Sequence, residues 1–140
     1  MARDMPPTLA AALDGSPVPG VVSVYLFGSH ASGRVHRESD VDVGVVLDRV
    51  IHATPQARFD ARLRLTAHVG QQLGTADVDL VVLNDAPPHL VRRVMTDGVR
   101  VSCADADADH AARRTALLRA ADLEPFLCRA RKAKLQAMVR

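Results

Sequence analysis

Two aspartates one residue apart, Asp40 and Asp42, come after a glycine–serine pair, Gly28-Ser29, with ten residues between Ser29 and Asp40. The spacing sets a turn suited to phosphate beside acids suited to a divalent cation, the two requirements for moving a nucleotidyl or phosphoryl group. Gly28 closes an apolar run and, lacking a Cβ, lets a phosphate approach the backbone. Ser29 falls where a short helix should begin, so its hydroxyl joins the free N–H groups and the dipole of a helix start. An isolated Gly-Ser pair is also an ordinary turn, and it gains chemical meaning only beside the two aspartates. Asp40 and Asp42 stand two apart in a β pattern, which puts both carboxylates on one side with Cα atoms ~6.5–7 Å apart. That separation suits carboxylates converging on one or two Mg²⁺ ions, which take a few carboxylates plus substrate phosphates and water. Ser39-Asp40 also reads as a plain turn into a strand, but Asp42 falls inside a Val-rich run, where an unpaired ionised group is costly.

A third carboxylate, Asp79, lies in the apolar run Val78-Asp-Leu-Val-Val-Leu83. If its strand neighbours that of Asp42, it completes an acidic cluster able to bind metal and accept the proton of an attacking hydroxyl. Asp77 shares its side but stands at the strand start, so Asp79 is the preferred candidate.

These residues need a sheet to hold them. Val21 to Phe27 is a β-branched run ending at glycine, and Asp40 to Leu47 is a second strand whose odd positions, Val41, Val43, Val45 and Leu47, form one apolar face. Thr54 as N-cap and Pro55 at the first helical position open a helix that Gly74 closes, with Phe59, Leu63, Thr66, Val69 and Leu73 as its apolar stripe. Asp77 to Leu83 reads as a third strand, Pro87-Pro88 to Asp97-Gly98 as a helix, and Val99 to Ser102 as a short strand. A first helix is expected over Leu9 to Leu13, and a helical tail runs from about Asp107 to the end, broken at Pro125. This alternation predicts an α/β (α+β) fold, a small mixed sheet flanked by helices, in one domain with its core over about 20–102 and its helical tail over about 107–140.

Composition excludes several classes. The 140 residues are 48% apolar and 24% charged, which argues against disorder. Aromatic residues make up 3% with no Trp, so base stacking has little to work with and direct nucleic-acid binding is not expected. Arg34 and Val35 after Gly33 replace the lysine and hydroxyl that a P-loop requires, and no G-x-G-x-x-G dinucleotide fingerprint is present. Cys103 and Cys128, without CxxC spacing, read as buried free thiols; with no signal-peptide run and no membrane-spanning stretch, a cytoplasmic protein is expected. His36 and His52 are placed on loops and His68 on a helix, without ligand spacing. Asp105, Asp107 and Asp109 read as acids before a helix start rather than an ion-binding loop. From His110 to Arg140 there are eight Lys or Arg against two acids, over a body with ten basic and fourteen acidic groups. The tail is therefore either an interaction surface or a solvated face, and its Leu117, Leu118, Ala121, Leu127, Ala130, Leu135 and Met138 could equally pack on the sheet.

The joined motif of Gly28-Ser29, Asp40-x-Asp42 and a later strand aspartate resembles the DNA polymerase β-like nucleotidyltransferase superfamily. More closely it is similar to the minimal nucleotidyltransferases that serve as antitoxins to HEPN toxins, with Tyr25-Leu-Phe27, Gly33, Ser39 and Val78-Asp79-Leu80 also fitting. The likeness spans roughly Val21 to Val101. It implies Mg²⁺ held by Asp40, Asp42 and Asp79, ATP bound with the help of Gly28, Ser29, Ser39 and Arg34, and attack on the α-phosphate with loss of pyrophosphate. It further implies transfer of AMP to a tyrosine hydroxyl of a HEPN ribonuclease toxin, which is thereby neutralised. Relatives often carry Arg where His30 and Ser32 stand here, a departure that leaves Arg34, with Arg37 as a further candidate, to contact the triphosphate. The alternatives are a toxin-binding protein that acts by occlusion without catalysis, and a nucleotidyltransferase of small molecules of the aminoglycoside type.

Overall fold

The computed structural model describes residues 5–28 and 40–139. Helix α1 (Met5–Leu13) precedes strand β1 (Val21–Phe27), and β2 (Val41–Leu47) leads to helix α2 (Pro55–Leu73). Strand β3 (Val78–Val82) runs through a short 3-10 turn (Leu83–Asp85) to α3 (Pro88–Asp97), β4 (Val99–Cys103) and α4 (Ala106–Val139). The sheet order is β3-β2-β1-β4. β1 is antiparallel to β2 and β4, while β2 and β3 are parallel, so the sheet is mixed as expected. A parallel pair needs a crossover, and α2 supplies it.

Both faces of the sheet are covered. Val41, Val43, Val45 and Leu47, the predicted apolar face of β2, pack with Val24, Leu26, Leu80, Leu9 of α1 and Ala61, Leu65 and Val69 of α2. The opposite face joins Tyr25 and Val46 to Val91, Val94 and Met95 of α3 and Ala116 of α4. A Cβ at Gly44 would stand 3.1 Å from Val94 Cγ1 and 3.2 Å from the Leu83 methyls, so this glycine lets α3 lie directly on β2. Among the described residues no helix is long and apolar enough to cross a membrane.

The caps of α2 form as read: Thr54 accepts a hydrogen bond from Ala57 N at 3.0 Å and Gly74 closes the helix in the left-handed conformation. Its buried stripe is the expected one only in part: Val69 is buried and Leu73 packs on the core, but Arg58, Ala61 and Leu65 turn inward where Phe59 and Leu63, about half exposed, were expected. Arg58 can turn inward because Nε donates to Asp85 at 2.8 Å and Nη1 to the His52 carbonyl at 3.0 Å, satisfying the charge where it is buried. His52 is itself buried, with Nε2 2.7 Å from the Pro19 carbonyl, and is no surface histidine. His68 Nε2 likewise meets the Ala12 carbonyl at 2.8 Å. The two cysteines also differ from expectation: both are free, but Cys103 is half-buried and Cys128 exposed. Helix α1 starts earlier than predicted because Pro6 and Pro7 occupy its first turn, where the missing N–H costs nothing.

Helix α4 runs unbroken through Pro125. Ala116 and Ala120 are buried, but the helix then leaves the body of the protein. The carbonyl of Ala121 that Pro125 deprives of its partner lies on an exposed residue and can be hydrated, so no break is forced. The expectation that the tail's apolar residues could pack on the sheet fails for most of them: Leu118, Leu135 and Met138 are each more than 60% exposed.

At the start of α4, Asp105 Oδ1 accepts from Ala108 N at 3.1 Å, as an acid before a helix should. Asp109 does something else. It is 2% exposed and accepts from Ser23 Oγ at 2.6 Å, Tyr25 OH at 2.7 Å and Arg100 Nη1 at 3.0 Å, joining β1, β4 and α4 through one carboxylate. Burial pushes its pKa up, but the hydrogen bonds from Ser23, Tyr25 and Arg100 outweigh that and hold it below its ordinary value. Burial, together with the bond to Asp109, pushes the Tyr25 hydroxyl well above its ordinary value.

Candidate active site

Sheet pairing assembles the predicted acids. In the antiparallel pair Phe27 stands opposite Asp42, and in the parallel pair Asp42 stands beside Asp79. Asp79, Asp42 and the end of β1 therefore form a row across three strands, each ~4.8 Å from the next. Asp42 shares its side of β2 with Gly44 and Val46, the face covered by α3 and α4, and Asp79 shares that of Val81, which packs on the same face. Asp40, two residues before Asp42 and just ahead of β2, is in phase with it and exposed. Ser29, Arg34 and Ser39, with His30, Ser32 and Arg37, lie outside the described residues.

Gly28 has φ +74°, and a Cβ built there would overlap Asp42 Oδ2. The carboxylate thus rests against the bare backbone of the turn that ends β1. Any side chain at this position must displace the carboxylate and adopt a left-handed backbone, which costs ~1–2 kcal/mol for a non-glycine residue. Gly28→Ala is expected to destabilise the fold by about that amount while it displaces the Asp42 carboxylate, and thermal unfolding of the variant beside the parent checks this.

Above this row α3 closes a cleft of about 460 Å³ lined by Phe27, Gly28 and Asp42 from the sheet side and by Leu90, Arg93, Val94, Asp97 and Gly98 from the helix side. The side chain of Arg93 has no hydrogen bond or ion pair with a described residue, so its guanidinium is available to an anion in the cleft. Nothing in the local sequence marks Arg93; it is one of two adjacent arginines on a helix, and only the docking of α3 decides which one meets Asp42. A second hollow of about 370 Å³ lies at the far end of β2, walled by Val46, Leu83, Ala112 and Ala116, with Asp48 as the one acid among its lining residues. Of the two hollows, only the first brings together Asp42, the bare turn at Gly28 and a guanidinium; its second acid is Asp97, and Asp79 is not among its lining residues.

The donor set fits a hard cation. Like charges side by side on adjacent strands repel, and a bound divalent ion relieves that repulsion while using only oxygen ligands. Among the described residues no group of three or more His, Cys, Asp or Glu side chains is gathered closely enough to hold a metal by itself. Asp40, Asp42 and Asp79 are therefore not gathered into the expected three-carboxylate centre; strand pairing sets Asp42 beside Asp79, and Asp40 stands apart at the strand start.

Comparison with known proteins gives a consistent picture. The polymerase β nucleotidyltransferase family model matches residues 15–107, a span that contains Gly28, Asp40, Asp42 and Asp79. The chain is 34% identical over 85 residues to the protein adenylyltransferase MntA of Shewanella oneidensis, covering 58% of this chain and 53% of that protein. It thus spans about half the length of this curated relative. A crystal structure of a toxin–antitoxin with AMP-PNP contains a chain of the same fold, with a TM-score of 0.66 at 24% identity over 99% of this chain and 100% of that one. The structure of a tri-AMPylated Shewanella oneidensis HEPN toxin in complex with MNT antitoxin matches with a TM-score of 0.58 at 22% identity, over 96% of each chain. At these identities the likeness to solved structures establishes the fold.

Proposed function

The chain belongs to the polymerase β nucleotidyltransferase family, and on that premise we propose that it transfers AMP from ATP to a tyrosine hydroxyl of a HEPN ribonuclease toxin in the cytoplasm, acting as the antitoxin. The observation that carries this reading is the pairing of Asp42 with Asp79 beside the bare turn at Gly28. The choice of a protein acceptor is supported by the relative named a protein adenylyltransferase and by the AMPylated toxin held with an MNT antitoxin.

In this mechanism Asp42 and Asp79, joined by Asp40 from the strand start, would hold Mg²⁺, and the ion would supply positive charge to offset that of the triphosphate. Gly28 lets the phosphates lie against the backbone of the turn, and Ser29, Ser39 and Arg34 are assigned to the same phosphates from the motif alone. The acceptor oxygen attacks the α-phosphorus as the bond to the bridging oxygen of the β-phosphate breaks; pyrophosphate leaves, and the hydroxyl proton passes to Asp79.

Arg93 completes the cleft as the cation that meets the triphosphate. Arg93→Ala is expected to raise KM for ATP about tenfold while the fold is unaffected, because an exposed charge-assisted contact of ~1.5 kcal/mol is lost. Steady-state kinetics with ATP varied at saturating acceptor measure this. An unchanged KM would remove Arg93 from the site.

Transfer itself is tested by incubating the protein with α-labelled ATP, Mg²⁺ and a HEPN-domain protein that binds it. Label on the acceptor supports transfer. A HEPN protein that is bound and silenced without label, equally well by Asp40→Asn/Asp42→Asn, would favour neutralisation by occlusion.

A further inference from the structure

Resting on the proposed transfer to a protein, we infer that the groove between α3 and the distal half of α4 docks an acidic segment of the acceptor polypeptide. The groove encloses about 410 Å³, with His89 and Arg92 of α3 on one wall and Arg131 and Lys134 of α4 on the other. Leu127 and Ala130 form its apolar floor. Arg92 and Lys134 have no side-chain hydrogen bond or ion pair with a described residue, and the one acid in the groove, Glu124, is already engaged by Arg131 at 3.0 Å. The groove thus presents a surplus of positive charge over an apolar floor.

The fold does not use this surface. Past Ala120 every described residue of α4 is exposed except Leu127, which is half-buried in the groove. A helix of 34 residues is ~51 Å long, and more than a third of it extends beyond the body. Holding so long an unpartnered extension, with Phe126, Leu135 and Met138 more than 60% exposed, is explained by a macromolecule that covers it.

Charge selects an acidic occupant and the floor selects a polypeptide. Leucine and alanine methyls accept aliphatic side chains, whereas single-stranded nucleic acid needs aromatic platforms. No aromatic residue lines this groove. Position ties the groove to the chemistry. Helix α3 is the partition between them: Arg93 and Asp97 line the Asp42 cleft, and His89 and Arg92 line the groove. A helix is ~10 Å across, so three or four extended residues beyond a docked segment carry a hydroxyl to Asp42.

The test is the double charge reversal Arg92→Glu/Lys134→Glu, with Arg92→Gln/Lys134→Gln as the milder pair, assayed on a HEPN-domain acceptor protein. The expected result is a KM for the acceptor raised about tenfold or more by the reversal and less by the neutral pair, with kcat, AMP-PNP affinity and Tm unchanged. Transfer by the parent protein with an unaltered acceptor KM in both variants would overturn the docking groove and leave the transferase reading intact. If the parent transfers nothing but binds the HEPN protein calorimetrically, and the reversal abolishes that binding, the groove stands and the transferase reading falls. Absence of both transfer and binding by the parent overturns both. Loss of binding to a uridine oligonucleotide, with HEPN binding unchanged, would make nucleic acid the occupant and also overturn the inference.

Discussion

Asp42→Asn is expected to lower AMP transfer by at least ~10³-fold while leaving the protein folded, an effect worth about 4 kcal/mol in the transition state. Asparagine keeps the size and one oxygen of the side chain but removes the charge that holds a divalent ion beside Asp79. The substitution is nearly isosteric and removes no apolar core contact. The expected Tm therefore lies within about 4 °C of the parent, less than the shift a lost core contact produces in a chain of this size. Asp79→Asn should behave alike, with an added change in the pH dependence of kcat if its carboxylate takes the acceptor proton. Metal-dependent nucleotide binding provides a readout separate from turnover: AMP-PNP affinity should rise with Mg²⁺ in the parent and respond little to it in Asp42→Asn. A variant that stays active but melts far below the parent would make Asp42 a structural residue.

Asp109→Ala is expected to destabilise the protein by ~3 kcal/mol and to lower Tm by roughly 10 °C, without touching the cleft. Ser23 and Tyr25 are fully buried, and the substitution leaves both hydroxyls without an acceptor and detaches Arg100. Two displaced pKa values set the pH dependence. Asp109 holds a folded pKa below the ordinary carboxylate value, so its contribution is present above about pH 4 and is lost as pH falls through the folded value. Tyr25 holds a folded pKa above the ordinary phenol value, so its contribution is full below about pH 10 and is lost as pH rises beyond that. The gap in Tm between parent and Asp109→Ala should accordingly be widest at neutral pH and shrink toward pH 3. A gap of constant width down to pH 3 would show that the carboxylate charge contributes nothing. Tyr25→Phe should abolish the alkaline loss while retaining the acid one.

The parts of this molecule legible in its sequence are those decided by neighbours along the chain. Thr54, Pro55 and Gly74 bound α2 because caps act within one turn, and the alternation of Val41, Val43 and Val45 faces one side of β2 because strand parity is local. Parity also puts Asp42 and Asp79 each on a definite side of its own strand. That they stand side by side depends on the parallel pairing of β2 with β3, which no local pattern encodes. Long-range contacts account for the departures. Arg58 turns inward and Phe59 outward because Asp85, twenty-seven residues away, supplies the partner. Asp109 resembles any acid near a helix start until Ser23, Tyr25 and Arg100 arrive from two strands. Arg93 joins the candidate site only through the angle at which α3 lies over Gly44, and the same docking leaves Arg92 in the groove on its other side.

Intact-mass spectrometry of a HEPN-domain protein that binds this chain, after incubation with it, ATP and Mg²⁺, is the sharpest test of the proposed transfer. A gain of whole AMP units on tyrosine is expected, abolished by Asp42→Asn and by chelation of the metal. A HEPN protein that binds but stays at its unmodified mass, or one modified equally well by the Asp42→Asn protein, would contradict it.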